Sequence, residues 1–509
     1  MDRRATLAAC CAVAAGATGC VEVPPLPTER VGPPNVLVII ADDMGVDKLG
    51  SYAADADPDY AAEASYLPDT PVLDEMASAG VRFTDAWANP TCSPARAALL
   101  SGRYGFRTGV GQPVGQDGAR ELEPDEVTLA EVAVEAGYAT GLFGKWHVGE
   151  NEPPASWDAK ETWDDYVGET LPHEINPITQ GWQRFVGTLE GTLEEGYTDW
   201  LALESECVDC RIPEVTVRRR FKHATIATVD DALEWIGEQD GPWLATVMLH
   251  APHSPWEIPP TTCNYRDPER IAPTTESGIY EEMIECMDLR IGDLIDGVHA
   301  LGDLDDTFVI FAADNGTGPE LTEEPFYDER GKGTIYESGI RVPLIVADGK
   351  ELVARQADHE PDLDWRISSD VVRFPGAVNS APVNLLDIYA TVADVIGADK
   401  SSAVDSVSLL PMLLGREGAR REMVYSEMFG QSYTGYAATR VDDWKLIVEV
   451  DVGEEGTCIK RRKLYSLGVD RFESTNLVND FPVIVETLSA AMDALGADSE
   501  GYWLDIDDC

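Results

Sequence analysis

"NVLVIIADD", Asn35–Asp43, is an unbroken aliphatic run that stops abruptly at two carboxylates. A strand wetted on one side alternates apolar and polar residues. A run without a polar break fits a strand covered on both faces, as in parallel sheets flanked by helices. The segments that follow keep to this scheme. "TPVLDEMASAG" places Thr70 as N-cap, Pro71 at the first helical position and Gly80 as terminator. "TLAEVAVEAG" has Thr128 and Glu131 at capping-box spacing, with Gly137 closing the helix. "YATGLFG" reads as a strand, followed by the helix "HATIATVDDALEWIGEQ", the strand "WLATVMLHAPH", the long helix "IYEEMIECMDLRIGDLIDGVHALG" and the strand "TFVIFAADNG". In the long helix Met283, Met287, Ile291, Leu294, Val298 and Leu301 share one face. The expected fold class is α/β, a large doubly wound and mainly parallel sheet over residues 35–414. From about residue 415 the texture shifts to the short strands "YAATRVDDWKLIVEV" and "RRKLYSLGVD" and the helix "VIVETLSAAMDALG". Residues 415–509 are therefore expected to form a smaller C-terminal α+β domain.

The chain has 509 residues, 44% hydrophobic and 26% charged, a globular composition long enough for a large core. Its 38 Lys+Arg face 92 Asp+Glu, a formal net charge of −54. Such a surface repels polyanions, so nucleic-acid binding is excluded as a function class. It suits a setting rich in salt or cations, where screening limits self-repulsion.

Arg3 and Arg4 precede the small-residue run "ATLAACCAVAAGATGC", too short for a membrane anchor, so residues 1–19 read as an export signal. "ATGC", Ala17–Cys20, resembles a bacterial lipoprotein cleavage box, although Ala17 stands where an aliphatic residue is usual. The expectation is a lipid anchor on Cys20, a Pro-rich tether over residues 20–34, and a periplasmic or cell-surface location. Setting aside Cys10, Cys11, Cys20 and Cys92 leaves Cys207, Cys210, Cys263, Cys286, Cys458 and Cys509. An even number suits disulfides in an oxidising compartment, with the pairing open. Cys207-x-x-Cys210 is alternatively half of a zinc site, but no second C-x-x-C accompanies it.

Three apolar runs end in polar groups: "NVLVIIA" in Asp42-Asp43, "TFVIFAA" in Asp314-Asn315, and "WLATVMLHA" in Pro252-His253. Ligands of open α/β sheets bind outside the carboxyl ends of the strands, so these groups are expected in one crevice. The chain contains six Asp-Asp pairs, and only its place at the end of a buried strand singles out Asp42-Asp43. Three carboxylates and an amide oxygen in a crevice need compensation. A hard divalent cation supplies it, Ca2+ first and Mg2+ second.

In "NPTCSPARAALLSGR", Asn89–Arg103, Cys92 opens a helix and Pro94 and Arg96 follow. Alone, this reads as a buried core cysteine. "CSPARAALLSGR" resembles the C-x-P-x-R…G-R pattern of the sulfatase family, within the alkaline phosphatase superfamily. "NVLVIIADDMG", "GLFGKWHVG", "HAPHSPW", "ADNG", "GKGTIYESGIRVP", "VDDWKLI" and "KLYSLGVDRFESTNL" fall in that family's order, from Asn35 to Leu477.

The resemblance implies an arylsulfatase-like sulfuric ester hydrolase with an alkaline phosphatase-like sheet. It implies that a formylglycine-generating enzyme, reading Pro94 and Arg96, oxidises Cys92 to formylglycine. The hydrated aldehyde attacks sulfur with one hydroxyl, and the other expels sulfate. Asp42, Asp43, Asp314 and Asn315 are implied as metal ligands, joined by an oxygen on residue 92. Arg96 is implied to hold the diol, and Lys145 and Lys332 to grip the sulfate. His147, expected beside Lys145 on an extended segment, is implied as the diol's partner. His253, rather than His250, is implied as the acid that protonates the leaving alcohol. "ITQGWQRFVG" lacks the aspartate of the corresponding family segment, and no role is assigned there. The implied substrate is an aryl or carbohydrate sulfate ester. Two other readings stand beside this one: a phosphonate or phosphate ester hydrolase, and an exported binding protein whose Cys92 stays unconverted.

Overall fold

The computed structural model describes residues 32–52, 67–149, 162–172, 176–207, 213–263, 272–322, 328–356, 372–416, 418–430, 435–452 and 458–497. The export signal, Cys20 and the tether up to residue 31 lie outside the described residues, as do Cys210 and Cys509. Among the described residues no helix is long and apolar enough to cross a membrane.

An eleven-stranded sheet runs in the order Ala377–Asn379, Val81–Phe83, Leu344–Asp348, Thr307–Ala313, Asn35–Ala41, Trp243–Met248, Ala139–Lys145, Arg184–Thr188, Trp200–Glu206, Glu214–Arg220, Thr170–Pro172. The five strands from Thr307–Ala313 to Arg184–Thr188 are mutually parallel. Antiparallel strands extend this centre on both sides. The α/β expectation holds, with the parallel pairing concentrated where the aliphatic runs lie. Val36 to Ala41 are wholly buried, as the missing polar break required.

Helix ends show where local signals are overridden. Thr128 and Glu131 form the expected capping box. Thr70 precedes Pro71 as expected, but its side chain caps nothing. The carboxylate of Asp288, on the long helix Glu276–Leu301, accepts from Val72 N at 3.0 Å and Leu73 N at 2.8 Å instead. A charged acceptor aimed at two free N–H groups outcompetes a hydroxyl. On the long helix Met283, Met287, Ile291, Leu294 and Val298 are buried as expected, whereas Leu301, in the last turn, is 46% exposed.

The C-terminal strands Val424–Phe429, Gly435–Val441, Trp444–Val452 and Cys458–Ser466 form an antiparallel sheet in chain order. The helix Pro482–Gly496 packs on it through Leu488 and Met492. Val441 pairs with Trp444, so Asp442-Asp443 is a two-residue hairpin turn, with Asp442 at φ 51°. Cys263 is bonded to Cys286, and Cys207 is disulfide-bonded, which removes the zinc reading of Cys207.

A buried carboxyl ties the C-terminal sheet to the short helix Gly105–Thr108. Glu427 is fully buried and accepts from Phe106 N at 2.7 Å and the Tyr425 hydroxyl at 2.9 Å. Burial pushes it up to about 8, against those two hydrogen bonds. A carboxyl protonated in the folded chain and ionised in the unfolded one makes folding take up a proton. Its contribution to stability is then lost as pH rises from the ordinary glutamate range through about 8. Glu427→Gln should flatten the pH dependence of thermal melting between pH 5 and 8, by on the order of 4 kcal/mol. Parallel profiles for variant and parent would refute this origin of the dependence.

Candidate functional site

The parallel centre brings the site together. Asn35–Ala41 lies between Thr307–Ala313 and Trp243–Met248, and Ala139–Lys145 comes next. All four end at the same edge, so Asp42, Asp314, Lys145 and the turn after Leu249 emerge side by side. Backbone bonds extend the register past the strand ends: Asp314 N donates to Ala41 O at 3.0 Å, and Asp42 N to Ala251 O at 3.1 Å. Asp43 then turns away at φ 68°, a left-handed conformation that aspartate tolerates better than most residues. Tyr280 on the long helix holds it there by donating to Asp43 O at 2.6 Å.

Cys92 is the first residue of the helix Cys92–Ser101, 2% exposed and not disulfide-bonded. Two neighbours fix its turn. Asn89 Nδ2 donates to Glu427 O at 3.0 Å, and Gly333 N donates to Pro90 O at 2.8 Å. The second bond ties the loop bearing Lys332 to the turn bearing Cys92.

Around this cysteine the charges interlock. Lys145 Nζ donates to Asp42 Oδ2. Lys332 Nζ reaches Asp43 Oδ2 at 2.8 Å and Oδ1 at 2.6 Å. Arg96 donates through Nε to Asp314 Oδ2 at 2.9 Å and through Nη1 to Lys145 O at 2.8 Å. Asn315 Nδ2 donates to Asp43 Oδ1 at 2.8 Å. His253 Nε2 lies 3.7 Å from Asp43 Oδ2, and its Nδ1 is 2.6 Å from Ser254 O.

Protonation follows from this packing. Burial opposes ionisation of Asp42, but Lys145, His253, Arg96 and Lys332 outweigh it and hold the carboxyl well below its usual value. Burial and the charge on Asp42 push Asp314 well above. For His253 burial is the largest influence and lowers the imidazole, but Asp43 and Asp42 together outweigh it and leave the group raised. His147 and His250 are driven down, by burial first and Lys145 second. The Cys92 thiol is raised by burial and Asp42, yet Lys145, Lys332 and a hydrogen bond with His253 leave it below its ordinary value.

The donor set fits a hard cation. Ligand atoms of Asp42, Asp43, Cys92 and His253 all lie within 4.8 Å of one another. Asp42 Oδ1 and Asn315 Oδ1 are buried acceptors without a hydrogen-bond partner. Bare oxygens in a carboxylate-rich pocket are what Ca2+ or Mg2+ binds. Asp314 stands apart from that group of four, one oxygen engaged by Arg96 and the other by Asp43 N at 3.2 Å.

One expectation needs revision. His147 does not continue an extended segment with Lys145: the strand ends at Lys145, and His147 sits at φ 57°. Its Nε2 is 3.2 Å from Val114 O, while Nδ1 is buried without a partner. His253, expected as the acid for the leaving alcohol, lies within the candidate cation cluster itself. Reading by motif passed over Tyr280, although it falls on the Met283 and Met287 face of its helix and was detectable by spacing.

The sequence profile of the family described as Sulfatase matches residues 34–398. Bovine (Bos taurus) arylsulfatase A is 29% identical over 425 residues, spanning 81% of this chain and 74% of that protein. Human (Homo sapiens) N-acetylgalactosamine-6-sulfatase is 27% identical over 411 residues, spanning 75% and 66%. The crystal structure of Ps i-CgsB in complex with k-i-k-neocarrahexaose superposes with a TM-score of 0.66 at 20% identity, covering 92% of this chain and 94% of that one. A profile match over most of the chain, on a fold that sets Cys92 among Asp42, Asp43 and His253, leaves one assignment: this protein belongs to the sulfatase family and is a sulfuric ester hydrolase.

Proposed function

We propose that this sulfatase hydrolyses a sulfate monoester of an aryl or carbohydrate alcohol, with residue 92 as formylglycine and Ca2+ as the resident cation. One observation carries the reading: Cys92 heads a buried helix with ligand atoms of Asp42, Asp43 and His253 within 4.8 Å of its sulfur. Residue 92, as hydrated formylglycine, would supply one hydroxyl to attack sulfur, releasing the alcohol, and a second whose deprotonation would expel sulfate and restore the aldehyde. Asp42, Asp43, Asp314 and Asn315 would hold the cation, which would supply Lewis-acid polarisation when bound.

The remaining residues have tasks set by their charge. Lys145 and Lys332 come from different elements, one beside Asp42 and the other beside Asp43, and neutralise the sulfate oxygens. Arg96, one helical turn from residue 92, faces the attacking oxygen while anchored to Asp314. His253, with its imidazole raised by Asp43, donates a proton to the leaving alcohol. His147, held neutral by burial and Lys145, offers its free Nδ1 as the acceptor for the hydrated residue 92. The Cys263–Cys286 bridge supports an exported protein, periplasmic or at the cell surface.

The names of the two relatives span aryl and carbohydrate sulfates. A net charge of −54 favours small or lightly sulfated esters over dense polyanions. The second reading, phosphate or phosphonate ester hydrolysis, rests on the same tetrahedral-anion site. Comparing sulfate and phosphate esters of one phenol separates the two, and faster phosphate cleavage would reverse the assignment.

Mass spectrometry of the peptide containing residue 92 should show a loss of about 18 Da against the unmodified thiol. Finding only the thiol in protein that hydrolyses sulfate esters would rule out this nucleophile. Chelation should abolish turnover, and Ca2+ should restore it with binding visible by calorimetry. Asn315→Ala should weaken that binding about 10-fold or more. Unchanged affinity in this variant would remove Asn315 from the ligand set.

A further inference from the structure

Tyr197 lies between the strands Arg184–Thr188 and Trp200–Glu206, 1% exposed, and no motif points to it. Its hydroxyl is 2.8 Å from His250 O and 2.8 Å from His253 O. A phenol carries one hydrogen, so the two carbonyls share it in a three-centre bond. They bracket a single turn, closed by His253 N donating to His250 O at 2.9 Å. Tyr197 is itself anchored. Its N donates to Glu257 Oε2 at 3.0 Å, its carbonyl accepts from Ala224 N at 2.8 Å, and its ring stacks on His223 with centroids 5.2 Å apart. Burial, Asp42 and Asp43 push the phenol well above its ordinary value, so it remains a donor at neutral pH.

The far side of the turn is equally constrained. His250 Nε2 is 2.8 Å from Thr188 Oγ1, which engages that ring with the neighbouring strand. His253 Nδ1 meets Ser254 O, which leaves Nε2 facing Asp43 and Cys92. The direction of Nε2 therefore depends on the 250–253 backbone, and Tyr197 is the side chain that grips both of its ends.

We propose that Tyr197 is a positioning residue for His253, its hydroxyl locking the 250–253 turn so that Nε2 stays beside residue 92 and the leaving oxygen. This rests on His253 being the acid that protonates the leaving alcohol. A displaced acid hurts substrates in proportion to their need for it. A nitrophenolate leaves readily without a proton, whereas an alkoxide does not.

The test uses the full-length matured enzyme with two substrates, nitrophenyl sulfate and the sulfate ester of a simple sugar alcohol. Tyr197→Phe should lower kcat on the sugar sulfate about 10- to 100-fold and on nitrophenyl sulfate less than about 3-fold. Glu257→Ala, which frees the Tyr197 backbone from outside, should shift the ratio in the same direction by less and serves if the first variant folds poorly. His253→Gln is the reference. Its discrimination between the two esters should be at least as large. Equal losses on both esters in His253→Gln would overturn the acid assignment and the proposal with it. Discrimination in His253→Gln alone, with Tyr197→Phe and Glu257→Ala reducing both esters equally or neither, would overturn the positioning role and leave the acid intact.

Discussion

Everything at the site follows from the burial of Asp42 at the end of the central strand, wholly buried and paired with Lys145. A carboxylate cannot stay ionised there unless cations are fixed within a few ångströms. Lys145, Arg96 and Lys332 answer that demand, each placed by a different element. Three acids and three bases nearly cancel, yet Asp42 Oδ1 and Asn315 Oδ1 remain bare and Asp314 is pushed upward. The cluster is balanced for a guest that brings both charges, a divalent cation and an anion. That pairing matches a metal-assisted ester hydrolase better than a static ion-pair network, which would have satisfied its own oxygens.

The C-terminal sheet contributes without touching the chemistry. Its first strand receives Asn89 Nδ2 on Glu427 O and donates from Ser426 Oγ to Ala88 O at 2.7 Å, both just before Cys92. Lys445, fully buried, pairs with Glu337 and Glu473 at 3.1 and 2.9 Å, and Arg440 reaches Asp85 at 2.5 Å. Buried pairs of this kind add little net stability, because desolvation offsets attraction, but a shifted register leaves them unpaired. Their effect is to fix where the sheet docks, and so where the turn carrying Cys92 lies.

Much of this was legible in the sequence where one physical rule dominates. An apolar run with no polar break must be buried on both faces, which located the parallel strands and made Asp42-Asp43 stand out from other Asp-Asp pairs. The structure assigns four of those others to ordinary places, 442–443 to a hairpin turn, 305–306 and 164–165 to short helical turns and 230–231 to a helix, while 507–508 lies outside the described residues. The sequence was silent where a distant group competes with a local one. Asp288 displaces Thr70 as the cap, and the bonds from Trp146 N and His147 N to the neighbouring strand carry His147 out of line with Lys145. Tyr197 belongs to the same class, because its partners lie more than fifty residues away.

The overall charge and the local charge impose opposite demands on the substrate. At −54 the molecule repels anions at long range, while the cations that would bind a sulfate are each already matched to a carboxylate. Attraction therefore develops only at contact, inside the crevice. Beyond a Debye length of about 8 Å at physiological ionic strength the repulsion is screened, so salt should ease entry more than it weakens the buried grip. A sulfate monoester carries a single negative charge, as a phosphonate monoester does, and so meets a lower barrier than a doubly charged ester. A phosphate monoester dianion meets roughly twice that repulsion. The acidic surface thus works as a filter on substrate charge, acting before the specific contacts of the site are made.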